Sequence, residues 1–182
     1  MTQSSRCLVI DTDIASAATD RATRDARSRD CREFLVAVKD TRHKVVSTEA
    51  IRAEWNKHQS RFTKAWLVSM YARRKVCWID APADDELRSK VEQCAPNENK
   101  REAMLKDIHL IEAASQADKI VISMDEAVRQ CFHEATHEIR KLKQIAWVNP
   151  CKSKENPLNW LQNGAEPERE RLLGYRKENA NA

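Results

Sequence analysis

The sequence predicts an α/β fold, a three-layer α/β/α sandwich around a mostly parallel sheet of about five strands. Short apolar runs rich in β-branched residues alternate with longer amphipathic stretches, which is the pattern of strands joined by crossover helices. The length of 182 residues fits one such domain with a short appendage. No internal repeat is visible, so a solenoid or propeller is not expected.

Five short apolar runs are expected to form the strands. The first closes at Asp11 and the last precedes Asn149, so polar or turn-forming residues bound them. Runs of this length and composition are typical of strands buried within a parallel sheet. The predicted strands are Cys7–Ile10, Lys44–Ser47, Val76–Ile79, Ile120–Ser123 and Ile145–Val148.

Helices are expected between these strands. The longest begins after a cap at Ser47 or Thr48 and continues to Met70, because apolar residues recur every three or four positions from Ile51 onward. A break is expected at Pro96–Asn99. The remaining predicted helices cover Arg21 to Lys39, the segment that starts at Asp80–Pro82, Leu105 to Ala117, and Glu126 to about Leu142.

Residues 1–149 therefore form the predicted domain, and residues 150–182 form a C-terminal arm or short helix. The arm is polar and interrupted by proline, with Trp160 and Leu161 as its expected anchors. Trp160 is also the tryptophan most expected to be exposed. We expect the arm to pack outside the core or on a partner and to hold no catalytic group.

Glycine is almost absent from the chain. The only two, Gly164 and Gly174, lie far from the first strand. A Walker A loop and a dinucleotide-binding fingerprint both need glycines after an early strand, so both are excluded and no cofactor-binding residues are predicted.

The cysteines indicate a reducing compartment. No pair of them is spaced C-x-x-C, the first residues lack the apolar core of a signal peptide, and no apolar run approaches the roughly 20 residues of a membrane span. These features predict a cytoplasmic protein without membrane contact. All six cysteines are expected to be free thiols, namely Cys7, Cys31, Cys77, Cys94, Cys131 and Cys151.

Carboxylates follow two of the predicted strands. Asp11 ends the first strand, with Asp13 close behind it, and Asp125 follows the fourth. Because ligands of open α/β sheets bind beyond the carboxyl ends of strands, these acids can converge there with Glu54 and Asp107 from neighbouring helices. Such a cluster would be stabilised by a hard divalent cation, although an aspartate after a strand is more often a helix cap.

Four segments carry a family resemblance. They are Val9–Asp13, Ser47–Glu54, Asp107–Ala114 and Ile120–Asp125. Together they resemble the PIN-domain ribonuclease family, which has a strand ending in Asp-Thr-Asn, an acid in a helix after the second strand, an aspartate before an Ala-Ala helix, and a strand ending in Ser/Thr-x-Asp. The resemblance spans residues 7 to about 148.

The resemblance implies an Mg²⁺- or Mn²⁺-dependent endoribonuclease. Asp11, Asp107 and Asp125 would be metal ligands, Glu54 would complete the catalytic set, and Ser123 would help to position it. Asp13 departs from the family's usual asparagine and adds a negative charge. RNA is the implied partner, and the formal net charge of +4 suits a polyanion. Because many family members are toxins, an antitoxin or other protein and a homodimer are further candidate partners.

Two other functions stay open at this point. A PIN-like module could bind RNA or protein with little catalysis. Alternatively, His133-Glu134-Ala135-Thr136-His137 spells the H-E-x-x-H motif of zinc hydrolases on a predicted helix. A zinc site would also need a third ligand, and no acid follows on an obvious second helix. We therefore expect the purified protein to hold no stoichiometric zinc.

Overall fold

The computed structural model describes residues 4–20 and 25–177. Five strands of this part form one sheet in the order β3-β2-β1-β4-β5, and every adjacent pair is parallel. The predicted α/β class and three-layer architecture are confirmed. The strands are β1 Cys7–Ile10, β2 Lys44–Ser47, β3 Val76–Trp78, β4 Ile120–Ile122 and β5 Ala146–Val148.

Eight α-helices are present in the described part of the chain. One group, α2, α4 and α8, packs together, and a second group is formed by α5, α6 and α7. Helix α6 also contacts β1 and β4 at the centre of the sheet. The helices are α1 Thr12–Ala17, α2 Ala26–Asp40, α3 Glu49–His58, α4 Arg61–Ala72, α5 Asp85–Cys94, α6 Glu98–Ser115, α7 Glu126–Ala135 and α8 Pro157–Gln162.

The core lies on both faces of the central strands. Every residue of β4 and β5 is buried, and so is β1 after Cys7. This explains why these strands read as continuous β-branched and apolar runs rather than as alternating ones. The edge strand β3 differs, since Val76 and Cys77 are half-buried and Trp78 is exposed.

The predicted single helix from Ser47 or Thr48 to Met70 is wrong, because the chain forms two helices there. Helix α3 ends at His58, and Ser60 starts α4 by accepting a hydrogen bond from the Thr63 backbone N–H at 3.0 Å. Ser60 also donates its backbone N–H to the Ala15 carbonyl at 3.0 Å. This contact comes from α1, a six-residue helix that the sequence analysis did not predict.

Two other predicted helices begin or end elsewhere. Helix α7 stops at Ala135 instead of continuing to Leu142, because the Thr136 hydroxyl donates to the His133 carbonyl at 2.7 Å and closes the last turn. Ile139 then turns into the core. The first predicted helix is observed from Ala26, and residues 21–24 of that prediction lie outside the described residues.

The described part of the C-terminal arm completes the core. Helix α8 packs against α2, and Leu172 forms an antiparallel bridge with Ala146 of β5. Trp160 is only 4% exposed, so the expectation that it would be the exposed tryptophan is wrong. Trp78 is exposed instead, at 56%.

The prediction that all six cysteines are free thiols is wrong for two of them. Cys7 of β1 and Cys77 of β3 form a disulfide, with their Cα atoms 6.5 Å apart. The remaining four are free thiols, as expected. No helix among residues 4–20 and 25–177 is long and apolar enough to cross a membrane.

Candidate functional site

The candidate site lies at the point in the sheet where the order of strand addition reverses, between β1 and β4. The chain leaves β1 toward β2 on one side, whereas it leaves β4 toward β5 on the other. Because β1 and β4 are parallel neighbours, their carboxyl ends form a crevice at this point. Asp11 directly follows β1 and Ser123 directly follows β4, so both stand at the crevice.

The hydroxyl group of Ser123 connects the carboxyl ends of β1 and β4. Ser123 Oγ lies 2.8 Å from Asp11 Oδ2 and 3.1 Å from Asp13 Oδ2, and Ser123 is fully buried. Asp13 Oδ2 also accepts the Met124 backbone N–H at 2.7 Å. Asp13 is thereby fixed to the loop after β4.

Asp125 begins the next helix. Its Oδ1 accepts the Val128 backbone N–H at 2.8 Å, so it is the N-cap of α7. Its own backbone N–H donates to Ser123 Oγ at 3.1 Å. The helix-cap interpretation of Asp125 therefore holds.

Glu54 reaches the site from α3. Thr48 caps this helix, and its Oγ1 accepts the Ile51 backbone N–H at 3.2 Å. The next residue after Glu54 is Trp55, whose indole N–H donates to the Ile10 carbonyl at 3.1 Å. Because Ile10 is the last residue of β1, this bond holds α3 beside the end of that strand.

Asp107 is the most informative acid of the set. It lies on α6 and is buried. Burial, followed by the negative charge of Asp11, raises the pKa of Asp107 to about 7. The charges of Asp125 and Glu54 raise the same pKa further, against the opposing effect of Lys106. The other three acids predicted from the sequence therefore each act electrostatically on Asp107.

Two other carboxyl groups of the site are also costly to ionise. Burial raises the pKa of Asp11, although the hydrogen bond from Ser123 acts in the opposite direction. Burial and the adjacent charge of Asp11 raise the pKa of Asp13 to about 7. Near neutral pH these groups need either protons or a cation to offset their charge.

His109 is a member of this region that the sequence analysis did not single out. Its Nε2 lies 3.8 Å from Glu54 Oε2, and its Nδ1 lies 3.0 Å from the Lys106 carbonyl. Its charge acts on Asp11 and lowers the pKa of that carboxyl group. The one sequence feature that could have indicated a role for His109 is its position two residues after Asp107.

The donor set fits a hard divalent cation that keeps most of its waters. Asp13 Oδ1 is buried without a hydrogen-bond partner, and carboxylates are the ligands that Mg²⁺ prefers. In residues 4–20 and 25–177, no group of three or more His, Cys, Asp or Glu side chains is arranged so that the group alone could hold a metal ion. Mg²⁺ is commonly held through one or two carboxylates, with waters completing the shell.

The H-E-x-x-H motif does not present two free imidazoles. His133 Nδ1 lies 2.6 Å from the Leu173 carbonyl, and its Nε2 lies 3.2 Å from Arg176 Nη1. His137 falls after the end of α7, so the two histidines are not one turn apart on a continuous helix. These contacts fit a structural histidine that anchors the C-terminal arm.

An aromatic surface with one arginine lies at the β3 edge of the sheet, two strands from β1. Trp78 ends β3, and the Arg52 guanidinium lies 6.0 Å from the centre of its ring. Trp78 also lines an open depression of about 690 Å³ with Glu49 and Asp80. A second cavity of about 290 Å³ is lined by Arg52, Ser47 and the half-exposed Tyr71, among others. We call Trp78, Arg52 and Tyr71 the aromatic surface.

Comparison with known proteins does not assign the chain to a family. No protein-family model matches the chain, and no curated protein sequence matches it.

Proposed function

We propose that the protein is a metal-dependent, PIN-like endoribonuclease that hydrolyses RNA phosphodiester bonds. One observation carries this proposal: the pKa of Asp107 is raised first by burial and then by the charges of Asp11, Asp125 and Glu54, which come from separate elements. Sets of mutually repelling carboxylates at a topological switch point are typical of sites that hold a cation on a phosphate.

Each residue has a distinct task in the proposed site. Asp11, Asp107 and Asp125 would hold Mg²⁺ or Mn²⁺, with Glu54 completing the set. The bound cation would supply an activated water and charge stabilisation at the leaving oxygen. Ser123 fixes the orientation of Asp11 through its 2.8 Å hydrogen bond. Glu54, with His109 at 3.8 Å, would accept a proton from the attacking water.

RNA is the substrate best suited to the aromatic surface. Single-stranded RNA is commonly recognised by stacking of unpaired bases on aromatic and arginine side chains. Exposed Trp78 and the neighbouring Arg52 offer such a platform, and the net charge of +4 favours a polyanion. A protein partner such as an antitoxin and a cytoplasmic setting belong to the same proposal.

The experiment is a cleavage assay on a mixed-sequence RNA in Mg²⁺, Mn²⁺ or chelator. The wild type should cleave only with a divalent cation, while Asp11→Asn and Asp125→Asn should lose most of the activity. Glu102→Gln is the matched control, since Glu102 is an exposed acid on the same helix as Asp107. Sequencing RNA ends after expression of wild type and Asp11→Asn would identify the cleavage site. Wild-type rates in the Asp11→Asn/Asp125→Asn double variant would refute the proposal.

A second candidate is an RNA-binding module with little catalysis. It is favoured by the hydrogen bonds that already engage Asp11, Asp13 and Asp125, and by the lack of a complete ligand set among the described residues. The same assay separates the two candidates. The module would bind RNA equally well in Mg²⁺ and in chelator and would leave it intact.

A further inference from the structure

Three sulfur atoms from distant parts of the chain meet beside the acidic crevice. Cys31 lies on α2, Met124 in the loop between β4 and α7, and Cys151 just after β5. Both thiol sulfurs are 3.5 Å from Met124 Sδ, and the two thiols are 3.8 Å from each other. The sulfurs therefore form a nearly equilateral triangle.

The size of this triangle matches a three-coordinate metal. Atoms with these separations lie about 2.1 Å from their common centre, close to the metal–sulfur bond of about 2.3 Å in thiolate sites. The thiols are well beyond the disulfide bond length of about 2.05 Å. A cation with bonds of about 2.3 Å to all three sulfurs would lie about 1 Å out of the sulfur plane.

The fold holds the three ligands in place. Asn149 is buried, its side-chain oxygen accepts the Cys151 backbone N–H at 2.9 Å, and its side-chain amide donates to the Met124 carbonyl at 3.3 Å. One residue thus ties together the two loops that carry Cys151 and Met124. Cys31 is fully buried on a fifteen-residue helix, which fixes the third ligand.

The site also has an entrance suited to a cation. Cys151 is half-buried and lines a surface cavity of about 250 Å³. Asp30 and Glu33 of α2 line the same cavity, so its mouth carries acidic side chains. A positive ion can therefore approach Cys151 from solvent without crossing the core.

We propose that Cys31, Cys151 and Met124 form a site for a soft monovalent cation, chemically of the Cu(I) class. Thioether and thiolate ligands together select Cu(I), whereas Mg²⁺, Ca²⁺ and Mn²⁺ prefer oxygen. Binding would displace the two thiol protons into solvent and would leave the copper oxidation state unchanged. This site is separate from the proposed nuclease chemistry and does not rest on it.

The test is an anaerobic Cu(I) titration of the reduced, full-length protein against a chromogenic Cu(I) chelator. Wild type should bind one Cu(I) per chain at this site, with three sulfur ligands in the X-ray absorption spectrum. Loss of an outer-shell partner commonly costs about 10–100-fold in affinity, so loss of the thiolate in Cys151→Ser should cost more than about 100-fold. Met124→Leu keeps the side-chain size and should cost at least about tenfold.

Two controls isolate the site from the other cysteines. Cys94→Ser removes a half-buried thiol elsewhere, and Cys7→Ala with Cys77→Ala removes the pair that reduction would release. Both should keep the tight Cu(I) site. Equal affinity in wild type and Cys151→Ser would overturn the proposal, and so would a two-sulfur spectrum with no loss in Met124→Leu. A reduced wild type that binds no Cu(I) and instead forms a Cys31–Cys151 disulfide in air would also overturn it.

Discussion

Ser123 has one hydroxyl proton but two carboxylate neighbours. The hydroxyl can donate to Asp11 or to Asp13, at 2.8 and 3.1 Å, but not to both at once. One of the two carboxylates therefore lacks this donor at any moment, which adds to the cost of ionising both. Protonation or a nearby cation relieves that cost. The pKa values of Asp11 and Asp13 therefore depend on whether a cation is bound in the crevice.

The repulsion around Asp107 can be tested by removing a single charge. Asp107→Asn keeps the side-chain shape but removes a buried carboxylate whose pKa is raised to about 7. In chelator at pH 8, we expect the variant to melt at least about 2 °C higher than wild type, since about 1 kcal/mol shifts the midpoint by about 2–4 °C at this size. Glu102→Gln should leave the midpoint unchanged, and an Asp107→Asn midpoint equal to or below wild type would contradict the electrostatic account.

The same carboxyl groups predict the sign of a pH effect on stability. Asp13 and Asp107 have folded pKa values raised to about 7 from 3.8, so the folded state holds their protons more tightly than the unfolded state. Their contribution is complete below pH 4 and is lost as the pH rises toward and through 7, at no more than about 1.4 kcal/mol per pH unit for each group.

Denaturant unfolding in chelator at several pH values measures this effect. Other groups titrate in the same range, including buried His43, whose pKa is lowered by burial. The informative quantity is therefore the difference between wild type and Asp107→Asn. That difference should shift in favour of the variant between pH 4 and 7; a difference that is constant with pH would count against a raised pKa for Asp107.

At the scale of single elements, the end of β3 is where we expect RNA to dock. Base–aromatic stacking contributes about 1–3 kcal/mol per base, so Trp78→Ala should raise KM for RNA by about 5-fold or more with little change in kcat. Val68→Ala is the matched control, because Val68 is an exposed apolar residue on α4. An unchanged KM in Trp78→Ala would remove the aromatic surface from the proposed binding site.

Helix α7 gives a prediction about zinc. The His133 ring is engaged by the Leu173 carbonyl and Arg176, and His137 lies beyond the helix end. We expect His133→Ala with His137→Ala to keep RNA cleavage within a few-fold of wild type, with some loss of stability as the arm contact is removed. Elemental analysis that finds about one zinc per chain, lost with activity in this variant, would support the zinc hydrolase instead.

The strands were predictable because the residues that identify a strand lie within the strand itself. Each buried strand is a short β-branched run, and the order of acids along the chain indicated which strand ends would carry them. The break at Ser60 combines a local helix cap, which the sequence analysis passed over, with a contact to Ala15 in another helix, which only the tertiary fold reveals. His109 was missed for a similar reason: its importance depends on Glu54, which only the tertiary fold brings near. The Cys7–Cys77 pair likewise depends on the strand arrangement.

At the scale of the whole molecule, the C-terminal arm is part of the core. Removing everything after Asn149 would expose core partners of Trp160 and Leu161 and would leave His43 without the Leu161 carbonyl at 2.8 Å. These contacts predict that the truncated chain unfolds or aggregates. Replacing a buried tryptophan commonly costs about 3–5 kcal/mol, so Trp160→Ala should already lower the melting midpoint substantially. A truncated protein with a wild-type midpoint would contradict this.

The bridge between Leu172 and Ala146 also has a consequence during synthesis. The Leu173 backbone N–H donates to the Ile145 carbonyl at 2.8 Å, so one edge of the sheet is covered by residues made long after the acids of the crevice. Domains fold as they emerge from the ribosome, from the amino end onward. Asp11 and Asp125 therefore leave the ribosome before the segment that covers β5, so the core around them can be completed only late in synthesis.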